Sequence, residues 1–251
     1  PVVVVSSLPL NVLDALSAGA VDFVRKPQIR SPKDLDSFIL DLAAKIRIAS
    51  FAHVGGRRPA SVSTAAPAPA RPAASLSALV AARAGNTVIA IGASTGGTEA
   101  ILEVVRDLPA STPGVVIVQH MPPVFTNMYA QRLDKICKMR VKEAENGDRV
   151  EKGLIIIGAG EFHLRLARDQ NGYYVRSEKG AKVSGHCPSV DVLFDSVADI
   201  AGRKAVGVIL TGMGQDGANG LLKMRKKGAY TIGQDKESCV VYGMPMVAYN
   251  I

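Results

Sequence analysis

The sequence is poor in the side chains that most often hold metals or staple small folds, with 3 cysteines and 4 histidines in 251 residues. Cys137, Cys187 and Cys239 are far apart and odd in number, so they suggest neither a metal pair nor a disulfide framework. They read as reduced thiols, which fits a cytoplasmic location. His53, His120, His163 and His186 show no HExxH spacing, and no CxxC accompanies them, so no metal site is expected. No run reaches the roughly 18 apolar residues of a membrane span, so no membrane insertion is expected. The opening PVVVV lacks the basic flank and longer apolar core of a signal peptide. The chain starts at Pro1 rather than Met and is read as part of a longer protein.

A hydrophobic fraction of 47% with 21% charged residues describes a soluble globular chain. The net charge of +8 invites a nucleic-acid reading, but its distribution opposes one. Residues 42–85 hold six Lys or Arg and no Asp or Glu, whereas 86–251 are nearly balanced. A basic linker is a weaker footprint than a basic folded face, so no nucleic-acid partner is expected.

Three parts are visible. Residues 1–49 read strand, helix, strand, helix, with the last helix over Asp34–Ala49 and Ser31-Pro32 as its start. That is the closing half of a small α/β domain, too short to bury a core alone. Residues 50–83 are rich in Ala, Pro, Ser and Arg, have no periodic apolar face, and read as a linker. Within and just beyond them, Ser75–Gly85 fits a helical turn. Residues 84–251 alternate strands and helices, which predicts an α/β fold: a doubly wound, mostly parallel sheet covered on both faces. HLRLA and YYVRS, joined through DQNG, predict an antiparallel hairpin, inserted at its edge or standing as a flap.

Three strand ends carry the chemistry. In IGASTGG, Ser94 sits where a buried strand turns into a helix, beside free backbone N–H groups. That suits a nucleophile with oxyanion donors. It suits a phosphate- or nucleotide-holding turn equally well, although GASTGG is neither GxGxxG nor the GxSxG elbow. In VVIVQHMPP, His120 follows the next strand, where it is either a structural imidazole or a general base. In VILTGMGQDGANG, Asp216 is either a helix cap or a carboxylate that orients that imidazole. A doubly wound sheet brings the loops after such strands to one crevice. Ser94, His120 and Asp216 together therefore fit a serine-hydrolase triad in a chain order unlike the three familiar ones.

VIAIGASTGG, VIVQHMPP, HCPSVDVLF, ILTGMGQDGANG and VVYGMP, in this order, resemble the signatures of the chemotaxis protein-glutamate methylesterases. Members of that family carry an N-terminal receiver domain, a linker and a C-terminal hydrolase domain. The resemblance covers most of 86–251. It implies Ser94 as nucleophile, His120 as base then acid, and Asp216 as orienting carboxylate. Thr95 would position His120 or the oxyanion, and Met213 would support the oxyanion hole. It implies a receiver remnant before the linker. Ser6 would match the hydroxyl that senses phosphorylation, Phe23 the aromatic switch and Lys26 the phosphoryl-pairing lysine. Lys26 taken alone also reads as a solvated lysine.

The connection after Ser6 is shorter than the family's, and a final helix is expected beyond Ile251. The implied reaction is hydrolysis of glutamate γ-methyl esters, and deamidation of selected glutamines, on the cytoplasmic helices of chemoreceptors. It needs no cofactor. A chemotaxis histidine kinase would phosphorylate the receiver and relieve its cover over the site. Three rivals stand beside this reading. A dinucleotide-binding oxidoreductase is disfavoured by VQHMPP where a ribose-binding carboxylate belongs. A non-enzymatic module using the basic linker leaves the spacing of the three strand-end residues unexplained. A hydrolase of the same kind acting on another methylated protein fits the same residues.

Overall fold

Runs of β-branched residues with both alternating faces apolar form strands that must be buried on two sides. The computed structural model describes residues 1–7, 9–28, 31–52 and 87–251. In its C-terminal part, β3 (Val88–Ala93), β4 (Val115–Gln119), β5 (Arg140–Glu143), β6 (Leu154–Ile157), β9 (Ala205–Ile209) and β10 (Tyr230–Gly233) form one sheet in the order β10-β9-β3-β4-β6-β5. Every pairing in it is parallel.

Alternation along the strands divides the core in two. Ile89, Ile91, Val115, Ile117 and Val208 face one way, onto α3 (Gly97–Val105) and α4 (Phe125–Ile136). Val88, Ala90, Val116, Val118 and Ile209 face the other way. There they meet α5 (Val190–Ile200), α6 (Ala218–Lys226), Met244 of α7 (Met244–Asn250) and the hairpin of β7 (Phe162–Asp169) and β8 (Gly172–Lys179). The hairpin is antiparallel and closes at Asp169↔Gly172, as the DQNG turn predicts. The expected doubly wound architecture with an antiparallel hairpin is borne out, but the hairpin packs on one face of the sheet and does not pair with its edge strands.

In the N-terminal part, β1 (Val3–Ser6) pairs parallel with β2 (Asp22–Arg25), with α1 (Pro9–Ser17) between them and α2 (Pro32–Ser50) after them. Pro32 opens α2, and Asp34 accepts the Ser31 N–H at 2.8 Å, which satisfies a free donor at the helix start. These elements do not build a core of their own. Val12, Leu13, Leu16 and Phe23 join the core on the α3/α4 face of the large sheet. Most of the expected linker, and the helical turn expected at Ser75–Gly85, lie outside the described residues.

Two elements escape the sequence reading. β5 is an edge strand of composition RVKE, and α7 follows GMP at the end of the chain. Among the described residues, no helix is long and apolar enough to cross a membrane.

Candidate active site

The strand order reverses beside β3: β4, β6 and β5 lie on one side of it, and the chain then returns to place β9 and β10 on the other side. The crevice at the carboxyl ends of such strands is where open α/β sheets form sites. Ser94 follows β3, His120 follows β4, and the Asp216 loop follows β9.

The half-buried Ser94 is held through its backbone. Its N–H donates to Thr211 O at 3.0 Å, and its carbonyl accepts from Gly97 N at 2.7 Å. Gln119, the last residue of β4, adds a clamp that sequence reasoning missed. Its Nε2 donates to Ser94 O at 2.9 Å and to His120 O at 3.3 Å. One buried amide therefore ties together the two turns that carry the serine and the histidine. The His120 N–H donates to Ala93 O at 3.1 Å, which adds a second tie. Gly212 lets the β9 loop come close: a Cβ there would lie 2.7 Å from Ser94 Cβ and 2.3 Å from Met244 Sδ.

Asp216 is 2% exposed and sits at the N-terminus of α5, where free backbone donors attract an anion. Its Oδ1 accepts from Ser189 Oγ at 2.7 Å and Asp191 N at 3.0 Å. Its Oδ2 accepts from Val190 N at 2.7 Å and meets His120 Nε2 at 2.8 Å. Burial pushes this carboxyl up, but the bond and charge of His120, with the Asp191 N–H and the Ser189 hydroxyl, outweigh burial and hold it down at about 2. An ionised carboxylate can only accept, so His120 Nε2 carries a proton, and in the neutral imidazole Nδ1 is then the bare nitrogen. Nδ1 is buried and, among the described residues, has no hydrogen-bond partner.

The adjoining aspartate serves the neighbouring helix in the reverse sense. Asp191 Oδ1 accepts from Gly220 N at 2.8 Å in the first turn of α6. Burial raises the Asp191 carboxyl, against the Gly220 N–H. Ser189 is the N-cap of α5, accepting from Val192 N at 3.4 Å. Gly217 takes φ +91, a left-handed conformation that favours glycine, as the loop turns into α6.

The remaining expected residues divide. Thr95 lies next to Ser94, but its hydroxyl points to the N-terminal segment and donates to Asp22 Oδ2 at 2.6 Å. Met213 sits on the loop after β9 with its side chain 45% exposed. Ser6 and Lys26 lie side by side at the ends of β1 and β2, where Lys26 N donates to Ser6 O at 2.9 Å. Phe23 is buried away from them, its ring stacked on Phe125 of α4 with centroids 4.6 Å apart. His186, to which the sequence assigns no role, stacks flat on His120 with ring centroids 3.7 Å apart and planes 9° apart.

A doubly wound α/β sheet with a buried His–Asp pair at its strand-order reversal marks the class of these proteins as α/β enzymes with a polar crevice site. The comparisons narrow the class. The family described as CheB methylesterase matches residues 89–251. A "protein-glutamate methylesterase/protein-glutamine glutaminase 2" of Syntrophomonas wolfei is 55% identical over all of this chain and 70% of that protein. A protein-glutamate methylesterase/protein-glutamine glutaminase of Salmonella choleraesuis is 49% identical over the same shares. The crystal structure of the Thermotoga maritima CheB methylesterase catalytic domain superposes with a TM-score of 0.64 at 40% identity, over 66% of this chain and 88% of that one. The chain belongs to the CheB methylesterase family and is an enzyme of that family.

Proposed function

We propose that this chain hydrolyses γ-methyl esters of glutamate residues in proteins, and the side-chain amides of selected glutamines, through Ser94, His120 and Asp216. One observation carries the reading: His120 donates its Nε2–H to a buried, ionised Asp216, which leaves Nδ1 as the basic nitrogen of a residue whose backbone is tied to the Ser94 turn. This is the reverse of the ring orientation in chymotrypsin-type triads, where Nδ1 faces the aspartate. Nδ1 takes the hydroxyl proton as Ser94 Oγ attacks the ester carbonyl. Backbone N–H groups near Thr95 and Met213, at the start of α3 and in the β9 loop, receive the oxyanion. The imidazolium then protonates the leaving oxygen, which departs as methanol, or the leaving amide nitrogen, which departs as ammonia. Water, deprotonated by the same nitrogen, then frees the carboxylate from Ser94. None of these steps needs a cofactor.

The substrates we assign are methylated chemoreceptor cytoplasmic helices, which places the chain in the cytoplasm. We divide it into a receiver remnant at 1–49, a linker at 50–83 and the hydrolase domain at 84–251. Ser6, Phe23 and Lys26 are the remnant's switch residues, and a chemotaxis histidine kinase is the phosphodonor of the whole receiver. The contact of Asp22 with Thr95, next to the nucleophile, supports a cover that phosphorylation lifts. Ser17 and Arg132 strengthen the same contact, with Ser17 Oγ donating to Glu99 at 2.9 Å and Arg132 Nη1 to Leu13 O at 2.6 Å.

The test is release of labelled methanol from methylated receptor fragments by the parent and by Ser94→Ala. Release by the parent and almost none by the variant is expected. Equal release from both would remove Ser94 from its role.

A further inference from the structure

The segment between the hairpin and α5 builds more than a support for Asp216. It begins with a tight turn in which Val183 and His186 exchange two backbone bonds, of 3.0 and 2.9 Å. The two residues between them, Ser184 and Gly185, take φ of +52 and +84, the signature of a two-residue I′ turn. A non-glycine residue held at positive φ is strained and persists where its surroundings enforce it. The turn delivers the His186 ring onto His120, centroids 3.7 Å apart and planes 9° apart. Three residues later the same segment supplies Ser189, then the N–H groups of Val190 and Asp191, to Asp216.

A single bond from Nε2 to Asp216 fixes one edge of the His120 imidazole. It leaves the ring free to tilt, and tilting would move Nδ1 out of the position in which it acts as the proposed base. Among the described residues, no hydrogen bond to Nδ1 stops that motion. A flat ring packed against the face of His120 does stop it, in the direction of that face.

The chemistry adds a second demand. When His120 accepts the serine proton it becomes a cation, and whatever covers its face must tolerate that charge. A neutral π face attracts a cation, whereas a second imidazolium would repel it. Burial, and then the charge of His120, push His186 down to about 4, against the pull of Asp216 and with the help of Lys182 and Lys45. At neutral pH, His186 is therefore uncharged.

We propose that His186 is a positioning residue of the hydrolase: its stacked, neutral ring fixes the plane of the His120 imidazole, so that Nδ1 stays turned to Ser94, and it accepts the imidazolium at its face. The inference rests on the reading of Ser94 and His120 given above. His186 does not touch the substrate in this role. It acts through His120 alone, so its loss slows turnover and leaves substrate affinity in place.

The experiment compares the full chain with His186→Phe, His186→Leu and His186→Ala, with Ser94→Ala as control. Methanol release from methylated receptor fragments is measured across substrate concentration, and folding is followed by circular dichroism. Phe keeps a flat, uncharged ring. Leu fills similar space with neither flatness nor a π face. A misplaced catalytic group costs up to about a hundredfold, so kcat should fall roughly tenfold to a hundredfold in the Leu and Ala variants with KM nearly unchanged. The Phe variant should stay within about threefold of the parent, because the stacked face is kept. Should the Ala variant fail to fold, the Phe–Leu contrast carries the test. A Leu variant as fast as the Phe variant would overturn the inference, as would a loss that appears in KM alone. If Ser94→Ala is inert while His186→Ala matches the parent, the site stands and the role of His186 falls. If Ser94→Ala keeps the parent rate, the reading of the site falls and takes this inference with it.

Discussion

The two ends of the chain use the same kinds of element and reach opposite states of burial. In the C-terminal part, every residue of β3, β4, β6 and β9 is buried, with helices or a hairpin on each face. In the N-terminal part, β1 is only half-buried, and α2 exposes Leu35, Ile39 and Ile46, with Leu40 71% exposed and Phe51 exposed just past its end. One part owns its core and the other borrows one, through Phe23 and three apolar residues of α1. Apolar area withdrawn from water is the main stabilising term, so the large sheet should hold its fold alone. The N-terminal elements should hold theirs only while docked.

The sharpest way to test the self-sufficient part is at its most connected buried charge. Each oxygen of Asp216 accepts from two donors. In Asp216→Asn, whichever oxygen becomes an amide meets two donors that it cannot serve. If that amide faces His120, Nε2 must accept, Nδ1 then carries the proton, and the base is lost. A drop of about 10⁴ in kcat is expected, as for the equivalent change in a serine protease triad. Asp216→Ala should also destabilise the fold by about 3–5 kcal/mol, because the partners of a buried charge are left unmatched. Methanol release and denaturant titration read the two effects. Near-parent kcat in Asp216→Asn would mean that His120 needs no anion behind it.

The borrowed core breaks at Phe23. Phe23→Ala removes a buried ring and its stack on Phe125, a change that costs about 3–5 kcal/mol in a core. The loss falls on docking rather than on the sheet. Proteolysis of residues 1–52 should speed up while the melting of the sheet shifts little, and methanol release should rise as Asp22 leaves Thr95. A uniform loss of stability with no gain in activity would mean that the two parts fold as one unit and that the contact is not a cover.

Legibility in the sequence follows the same division. β3, β4, β6 and β9 are readable because a strand buried on both faces is a continuous apolar run, and Ser94, His120 and Asp216 are readable because each follows the end of such a run. β5 is not readable: its RVKE has one fully buried residue, Val141, and its strand state comes from pairing with β6. α7 buries only Met244 and Pro245, too little for an apolar period. Within the site, Gln119 and His186 escape because they act on atoms far along the chain, a backbone carbonyl in one case and a ring face in the other. The Thr95 hydroxyl was expected to serve the site, and its bond to Asp22 has no trace in either local pattern.

Acid should separate the two charged layers around His120. The folded chain keeps His186 neutral down to about 4, against an ordinary 6.5, chiefly because of burial and then the charge of His120. Between those values the unfolded chain binds a proton that the folded chain refuses, so stability should fall as pH drops from about 6.5 to 4. Asp216 acts in a lower window: held at about 2 against 3.8, it stabilises fully above 3.8 and loses that contribution as pH falls toward 2. Lys182 and Lys45 press in the same direction as His120 on His186, and Asp216 opposes them. Denaturation midpoints across pH should show the upper slope in the parent and a shallower one in His186→Phe. Identical slopes would mean that His186 takes up its proton as readily folded as unfolded.

The smallest effect is expected where the C-terminal part meets water. Arg149 grips Asp169 with two bonds, of 2.7 and 2.6 Å, at the turn end of the hairpin, and covers the Tyr174 ring at 5.4 Å. The hydrogen bond to Arg149 is the largest cause that draws Asp169 down to about 2. Yet both groups stand in solvent, where water screens their attraction and holding two side chains in one geometry costs entropy. The hairpin is secured from its other face, where Leu164, Leu166, Tyr173 and Val175 enter the core. Arg149→Ala should therefore leave melting and methanol release close to the parent, and added salt should narrow what difference there is. A large loss would locate part of the hairpin's anchorage in this exposed pair rather than in its buried face.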